Sequence, residues 1–97
     1  MIEDLRAEID RIDEELVELL NRRATQAVEI GQYKRVKGID VTDEDREEIV
    51  LERVIERNDG PFSDGQIYRI YRQIISETKE LQKEVDSDDS GNEAGSN

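Results

Sequence analysis

The sequence of 97 residues contains no cysteine and no histidine. Disulfide frameworks, thiol nucleophiles, imidazole bases and the usual zinc sites are thereby excluded, and only a carboxylate-only site for a hard cation stays open. No metal and no cofactor is expected. Long apolar runs are also missing: nowhere do enough apolar residues stand together to span a bilayer, and the opening Met1-Ile2-Glu3-Asp4 has neither the basic region nor the apolar stretch of a secretory leader. The expectation is a cytoplasmic protein without a membrane partner. Hydrophobic residues are only 34% of the chain and charged residues 41%, against roughly 45–50% and 25% in ordinary globular proteins. A monomer of this size buries only ~60–65% of its unfolded surface, so one domain with a marginal core is expected. Any chemistry must come from Arg, Lys, Asp, Glu, Gln and hydroxyl groups.

Basic residues are outnumbered. Lys and Arg total 14 against 26 Asp and Glu, and the resulting net charge of −12 repels a phosphate backbone or an anionic lipid surface. Nucleic acid is therefore not expected as a partner. Only four of the cations are Lys and the acid excess covers the whole chain, the surface habit of a halophilic protein solvated in concentrated salt; an ordinary acidic protein can share that composition. Residues 86–97 contain Ala94 and no other apolar side chain, so they read as a disordered acidic tail. Without the four acids of that tail, residues 1–85 form a helical domain that still carries −8.

Apolar periodicity defines three helices, one long, one short and one medium, and hence an all-α fold. Leu5, Ile9, Ile12, Leu16 and Leu19, then Arg23, Ala27, Ile30 and Lys34, follow a 4-3 spacing that predicts one amphipathic helix to about Lys37, stopped by Gly38. Thr42 reads as the N-cap of a second helix with acids in its first turn, using Ile49, Val50, Val54 and Ile55 and ending near Asn58-Asp59-Gly60-Pro61. Ser63 with Gln66 forms a capping box, and Phe62 with Ile67 a hydrophobic staple, opening a third helix along Ile67, Tyr71, Ile74, Thr78, Leu81 and Val85. The first helix is ~50 Å long, more than the other two can cover, so its seam calls for a second copy and a homodimer. The alternative is a solitary long helix in a monomer.

The informative positions are those where the seam breaks. Arg23 and Lys34 stand where Leu or Ile is called for, and a cation in a helix core must be paired, reach solvent, or await an anionic ligand. Singly, each could equally be a polar residue that fixes helix register. Together they face one side, ~16 Å apart along the axis, and can converge on a small anion. Arg6 lies ~25 Å from Arg23, too far for one chain to bring both to the same small molecule, but an antiparallel two-fold pair would set Arg6 of one subunit beside Arg23 of the other. On position alone Arg6 is an exposed first-turn arginine. Asp43, Arg46 and Glu47 read equally as a solvated face, and Gln82 as a surface residue one turn after Thr78. Gly31 within a helix costs ~1 kcal/mol relative to Ala, which hints at close approach by a helix or a ligand.

Taken in order, Leu5-Arg6-Ala7-Glu8-Ile9-Asp10, Leu19-Leu20 with Arg22-Arg23, Ala27-Val28-Glu29-Ile30-Gly31 with Lys34, Asp43 with Arg46-Glu47, and Ile74-Ile75-Ser76-Glu77-Thr78 with Gln82 make the chain resemble the all-α class of chorismate mutase over nearly all of residues 3–85. The resemblance implies an intertwined helical homodimer with two sites, each completed by an arginine from the other chain. It implies the Claisen rearrangement of chorismate to prephenate, in the shikimate route to phenylalanine and tyrosine, without a cofactor. Carried over by position, it implies that Arg6 of the second copy and Arg23 hold the two substrate carboxylates and that Lys34 bridges a carboxylate and the ether oxygen. It implies that Asp43, through its backbone, and Glu47 meet the ring hydroxyl, with Arg46 supporting Glu47. It likewise implies that Thr78 stands near the ring carboxylate and that Gln82 donates to the ether oxygen. Thr78 in place of a smaller hydroxyl, and the lack of proline in residues 38–42, depart from the family pattern. An isochorismate-pyruvate lyase shares this fold and many anion-binding residues, and a non-catalytic helical dimerisation or regulatory module is the rival of another class. On length, a single-function enzyme without a regulatory domain is expected.

Overall fold

The computed structural model describes residues 1–95, with side chains for residues 1–86. Three helices account for it, α1 (Ile2–Val36), α2 (Glu44–Arg57) and α3 (Asp64–Gly95), and no strand occurs among the described residues. Helix α3 continues through residues 86–95, where the sequence suggests a disordered acidic tail, and is nearly as long as α1 where a medium helix is expected; residues 96–97 lie outside the described residues.

Helix α1 ends where the glycine stop is expected, in a Schellman motif. Gly38 takes φ +71°, its N–H bonds the Arg35 carbonyl at 3.1 Å, and the Ile39 N–H bonds the Lys34 carbonyl at 2.8 Å. The chain thereby turns sharply just after Lys34 and delivers residues 39–43 back alongside it. Helix α2 opens one residue later than the pattern suggests. The backbone N–H of Thr42 is held by Asp40 Oδ1 at 3.0 Å, and Asp43 is the N-cap instead, its Oδ1 accepting from the Arg46 N–H at 3.0 Å. A carboxylate there satisfies an orphan donor and also meets the positive end of the helix dipole. The inward face of α2 keeps Val50, Val54 and Ile55, all half-buried, but takes Leu51 in place of Ile49. Leu51, only 2% exposed, is its anchor, whereas Ile49 is half exposed.

The α2–α3 turn is stitched by Asn58, whose Nδ2 donates to the Phe62 carbonyl and to Asp64 Oδ1, both at 2.9 Å. The capping box then forms reciprocally: the Ser63 N–H donates to Gln66 Oε1 at 2.9 Å and the Gln66 N–H to Ser63 Oγ at 3.1 Å. Helix α3 is the hub, packing against both α1 and α2. Its expected seam of Ile67, Tyr71, Ile74, Thr78, Leu81 and Val85 is half-buried, and a neighbouring row through Ile75, Lys79 and Gln82 is covered too.

One chain leaves much of its apolar surface uncovered. Its radius of gyration is 17.2 Å and its extents are 58 × 31 × 15 Å, whereas a compact chain of this length has a radius near ~13 Å. Every residue from Met1 to Arg22 is exposed, so the first half of the α1 seam, Leu5 to Leu19, faces outward. Replacement of Ser63 by alanine removes one acceptor of the capping box and is expected to lower stability by about 1 kcal/mol, read as a lower urea midpoint with an unchanged slope.

Candidate active site

The second half of α1, the start of α2 and the middle of α3 enclose a cleft of about 280 Å³. Seven of the eight residues singled out in the sequence line it: Arg23, Lys34, Asp43, Arg46, Glu47, Thr78 and Gln82. The eighth, Arg6, is exposed on the uncovered half of α1 and is not among the cleft residues. The apolar walls come from Ala27, Ile30, Val41, Val50 and Ile75, and Gln26 and Lys79 complete the lining.

Charge is distributed against the trend of the whole molecule. Four cations, Arg23, Lys34, Arg46 and Lys79, and two carboxylates, Asp43 and Glu47, line the cleft. The local excess of two positive charges stands within a chain of net charge −12. A concave, partly apolar site of that kind concentrates a small dianion.

Lys34, Asp43, Glu47, Thr78 and Gln82 each have a tether. Lys34 Nζ lies 3.6 Å from Asp43 Oδ2, while Asp43 Oδ1 caps α2. That cap bond, followed by the charge of Lys34, holds the Asp43 carboxyl below the ordinary aspartate range. Glu47 is held from α3, by Lys79 at 2.9 Å and by Arg72 at 3.9 Å; among the described residues no ion pair joins it to Arg46, the support that the resemblance implies. Thr78 Oγ1 donates to the Ile74 carbonyl at 2.7 Å, so toward the cleft its hydroxyl offers lone pairs. Gln82 Nε2 donates to the Ala27 carbonyl across α1 at 2.8 Å. An amide nitrogen carries two hydrogens, so this bond orients the group and leaves one donor over.

The glycine in α1 has its reason here. Gly31 is buried, and a Cβ on it would stand 3.2 Å from Gln82 Nε2 and 3.6 Å from Val41 Cγ1. The close approach expected from the sequence is that of the Gln82 side chain.

Two polar lining residues escaped sequence reasoning, Gln26 and Lys79, and of these only Lys79 is charged. The signal existed: counting back from Gln82 by three and by seven reaches Lys79 and Ile75, one face of α3. Nothing in the row of charges along this helix set Lys79 apart from its exposed neighbours Lys83 and Glu80 until α2 was packed against it.

Replacing Gly31 by alanine improves helix propensity by about 1 kcal/mol but presses the new methyl on the Gln82 amide. The expected result is a melting temperature no lower than that of the parent together with shifted side-chain amide resonances of Gln82. Unchanged resonances would show that Gly31 does not set the position of that donor.

With this geometry in place, the comparisons with known proteins are specific. A family described as chorismate mutase type II matches residues 5–83. A bifunctional chorismate mutase/prephenate dehydratase of Aquifex aeolicus is 38% identical over 88 residues, covering 87% of this chain and 24% of that protein. A protein of the same description from Neisseria gonorrhoeae is 41% identical over 69 residues, covering 71% of this chain and 18% of its own length. The chain thus spans about a quarter or less of these curated relatives. A solved chorismate mutase from Thermus thermophilus superposes with a TM-score of 0.82 at 33% identity, over 84% of this chain and 93% of that one. The family match runs through the three helices that build the cleft, and the chain belongs to the chorismate mutase type II family.

Proposed function

We propose that the chain catalyses the rearrangement of chorismate to prephenate in aromatic amino acid biosynthesis. The observation that carries this reading is the cleft's excess of two positive charges, framed by apolar walls and amide or hydroxyl groups, in a strongly acidic chain. The substrate is a small dicarboxylate whose bonds break and form within one molecule. Such a step asks for no base, nucleophile or metal: a compact conformer must be held and charge developing on the ether oxygen stabilised. Arg23 and Arg6 of a second copy hold the two carboxylates in this reading, and Lys34 serves one carboxylate and the ether oxygen. Glu47 and the backbone of Asp43 meet the ring hydroxyl. The second amide hydrogen of Gln82 completes the pair of donors on the ether oxygen, Thr78 borders the ring carboxylate, and Arg46 adds positive charge at the cleft. A charge-assisted hydrogen bond contributes about 1.5–3 kcal/mol, so Lys34 acting on the transition state supplies one to two decades of rate.

The homodimer belongs to the same proposal. The apolar seam of α1 from Leu5 to Leu19 lies open along the stretch that carries Arg6. An antiparallel second copy laid on that seam covers it and brings Arg6 to the far end of the other cleft.

Loss of chorismate absorbance, with prephenate identified after acid conversion to phenylpyruvate, tests the reaction. Saturable turnover is expected, lowered at least a hundredfold by Arg23→Ala in a folded protein. Turnover of isochorismate to pyruvate instead, or of neither compound, would replace this reading by the lyase or by a binding module. The acid excess further supports a halophilic habit, since concentrated salt screens self-repulsion and eases entry of a dianion. Urea midpoints are expected to rise between dilute and multimolar KCl, and equal midpoints would remove that part of the proposal.

A further inference from the structure

Glu47 pairs with two cations of α3, one lining the cleft and one not. Arg72 and Lys79 are seven residues apart, two turns and ~10 Å along one face of the helix. Lys79 Nζ approaches Glu47 Oε2 at 2.9 Å, and Arg72 Nη1 approaches the other oxygen, Oε1, at 3.9 Å. Lys79 lines the cleft and Arg72 does not. The Glu47 side chain is only 16% exposed, so its carboxylate needs a cation wherever it turns. Its direction is therefore settled by which of the two cations holds it more closely.

We infer that Lys79 is a positioning residue: it draws the Glu47 carboxylate into the cleft against the pull of Arg72, and so sets the acceptor that selects a hydroxyl on the substrate ring. The inference rests on the proposed reaction, in which Glu47 meets that hydroxyl. Lys79 does not need to touch the substrate to act. With Lys79 removed, the remaining partner of Glu47 is Arg72, and the carboxylate turns out of the cleft. A hydroxyl acceptor works on bound substrate and transition state alike, so its loss raises KM more than it lowers kcat.

Steady-state turnover of chorismate by Lys79→Met, Lys79→Arg, Arg72→Met and the double variant Arg72→Met with Lys79→Met tests this, with melting temperatures measured alongside. Lys79→Met is expected to raise KM about tenfold with kcat within about threefold, while Lys79→Arg and Arg72→Met stay near the parent. The double variant is expected to regain part of the lost KM, because nothing then draws Glu47 outward and the cations left to it, Arg46 and Lys34, line the cleft. In a Glu47→Gln background, Lys79→Met is expected to add little further loss.

Three results would overturn the inference. One is a Lys79→Met effect that Arg72→Met does not relieve and that persists with Glu47→Gln, which makes Lys79 a direct carboxylate ligand. Another is a fall in melting temperature with KM and kcat of the folded protein unchanged, which makes it a strut between α2 and α3. The third is a parent protein that turns over no chorismate, which removes the proposed reaction as well; activity in the parent separates that failure from the other two.

Discussion

The placement of cations in the seam of a helix constrains everything else in this molecule. Arg23 and Lys34 occupy positions of α1 that would otherwise be apolar, and a charge so placed has to be answered. The fold answers Lys34 by bending the chain back through Gly38 and bringing Asp43 to 3.6 Å. The carboxylate that pairs with Lys34 also starts α2, so the direction of the second helix and the position of the cation are set by one residue. Helix α3 then closes the space between them, and Gln82, donating to the Ala27 carbonyl, ties it to α1 one helical turn before the buried Gly31. The cleft is what remains when three helices approach one another over charges that cannot be packed away.

The same constraint leaves the chain short of core. Apart from Gly31, full burial among the described residues is reached only by Leu51 and Ile75, at 2% and 7% exposure. The apolar residues that a monomer would need inside are on the outer half of α1, which nothing in one chain covers. Burial of that half by the proposed second copy would supply both the missing stability, at roughly 25 cal/mol per Å² of apolar surface, and the arginine that the cleft lacks. Stability and site completion would then have a common origin.

Legibility in the sequence followed the range of the interactions. The capping box at Ser63 and Gln66 and the stop at Gly38 were readable because both sides of each contact lie within a few residues. The cap of α2 was misplaced by one residue because Thr42 and Asp43 are both good caps, and the choice fell to Asp40, which holds the Thr42 N–H. Leu51 was missed because the apolar residues Ile49, Val50 and Leu51 run consecutively and only packing decides which of them turn inward. Seven cleft residues were identified through family resemblance and the breaks in periodicity, whereas Lys79 emerged only once Glu47 stood beside it. A charge on a helix already rich in charges leaves only a positional trace, here the face of α3 that Lys79 shares with Gln82 and Ile75.

At the centre of the proposed function stands a cleft built by one chain and finished by Arg6 of another. The decisive experiment is to mix the Arg6→Ala and Arg23→Ala chains, each inactive alone, and allow them to re-pair. A mixed dimer has one cleft with both arginines and one with neither, so recovery of about a quarter of parental chorismate turnover is expected after statistical exchange. Mixed dimers confirmed by native mass spectrometry with no recovered turnover would contradict the shared cleft.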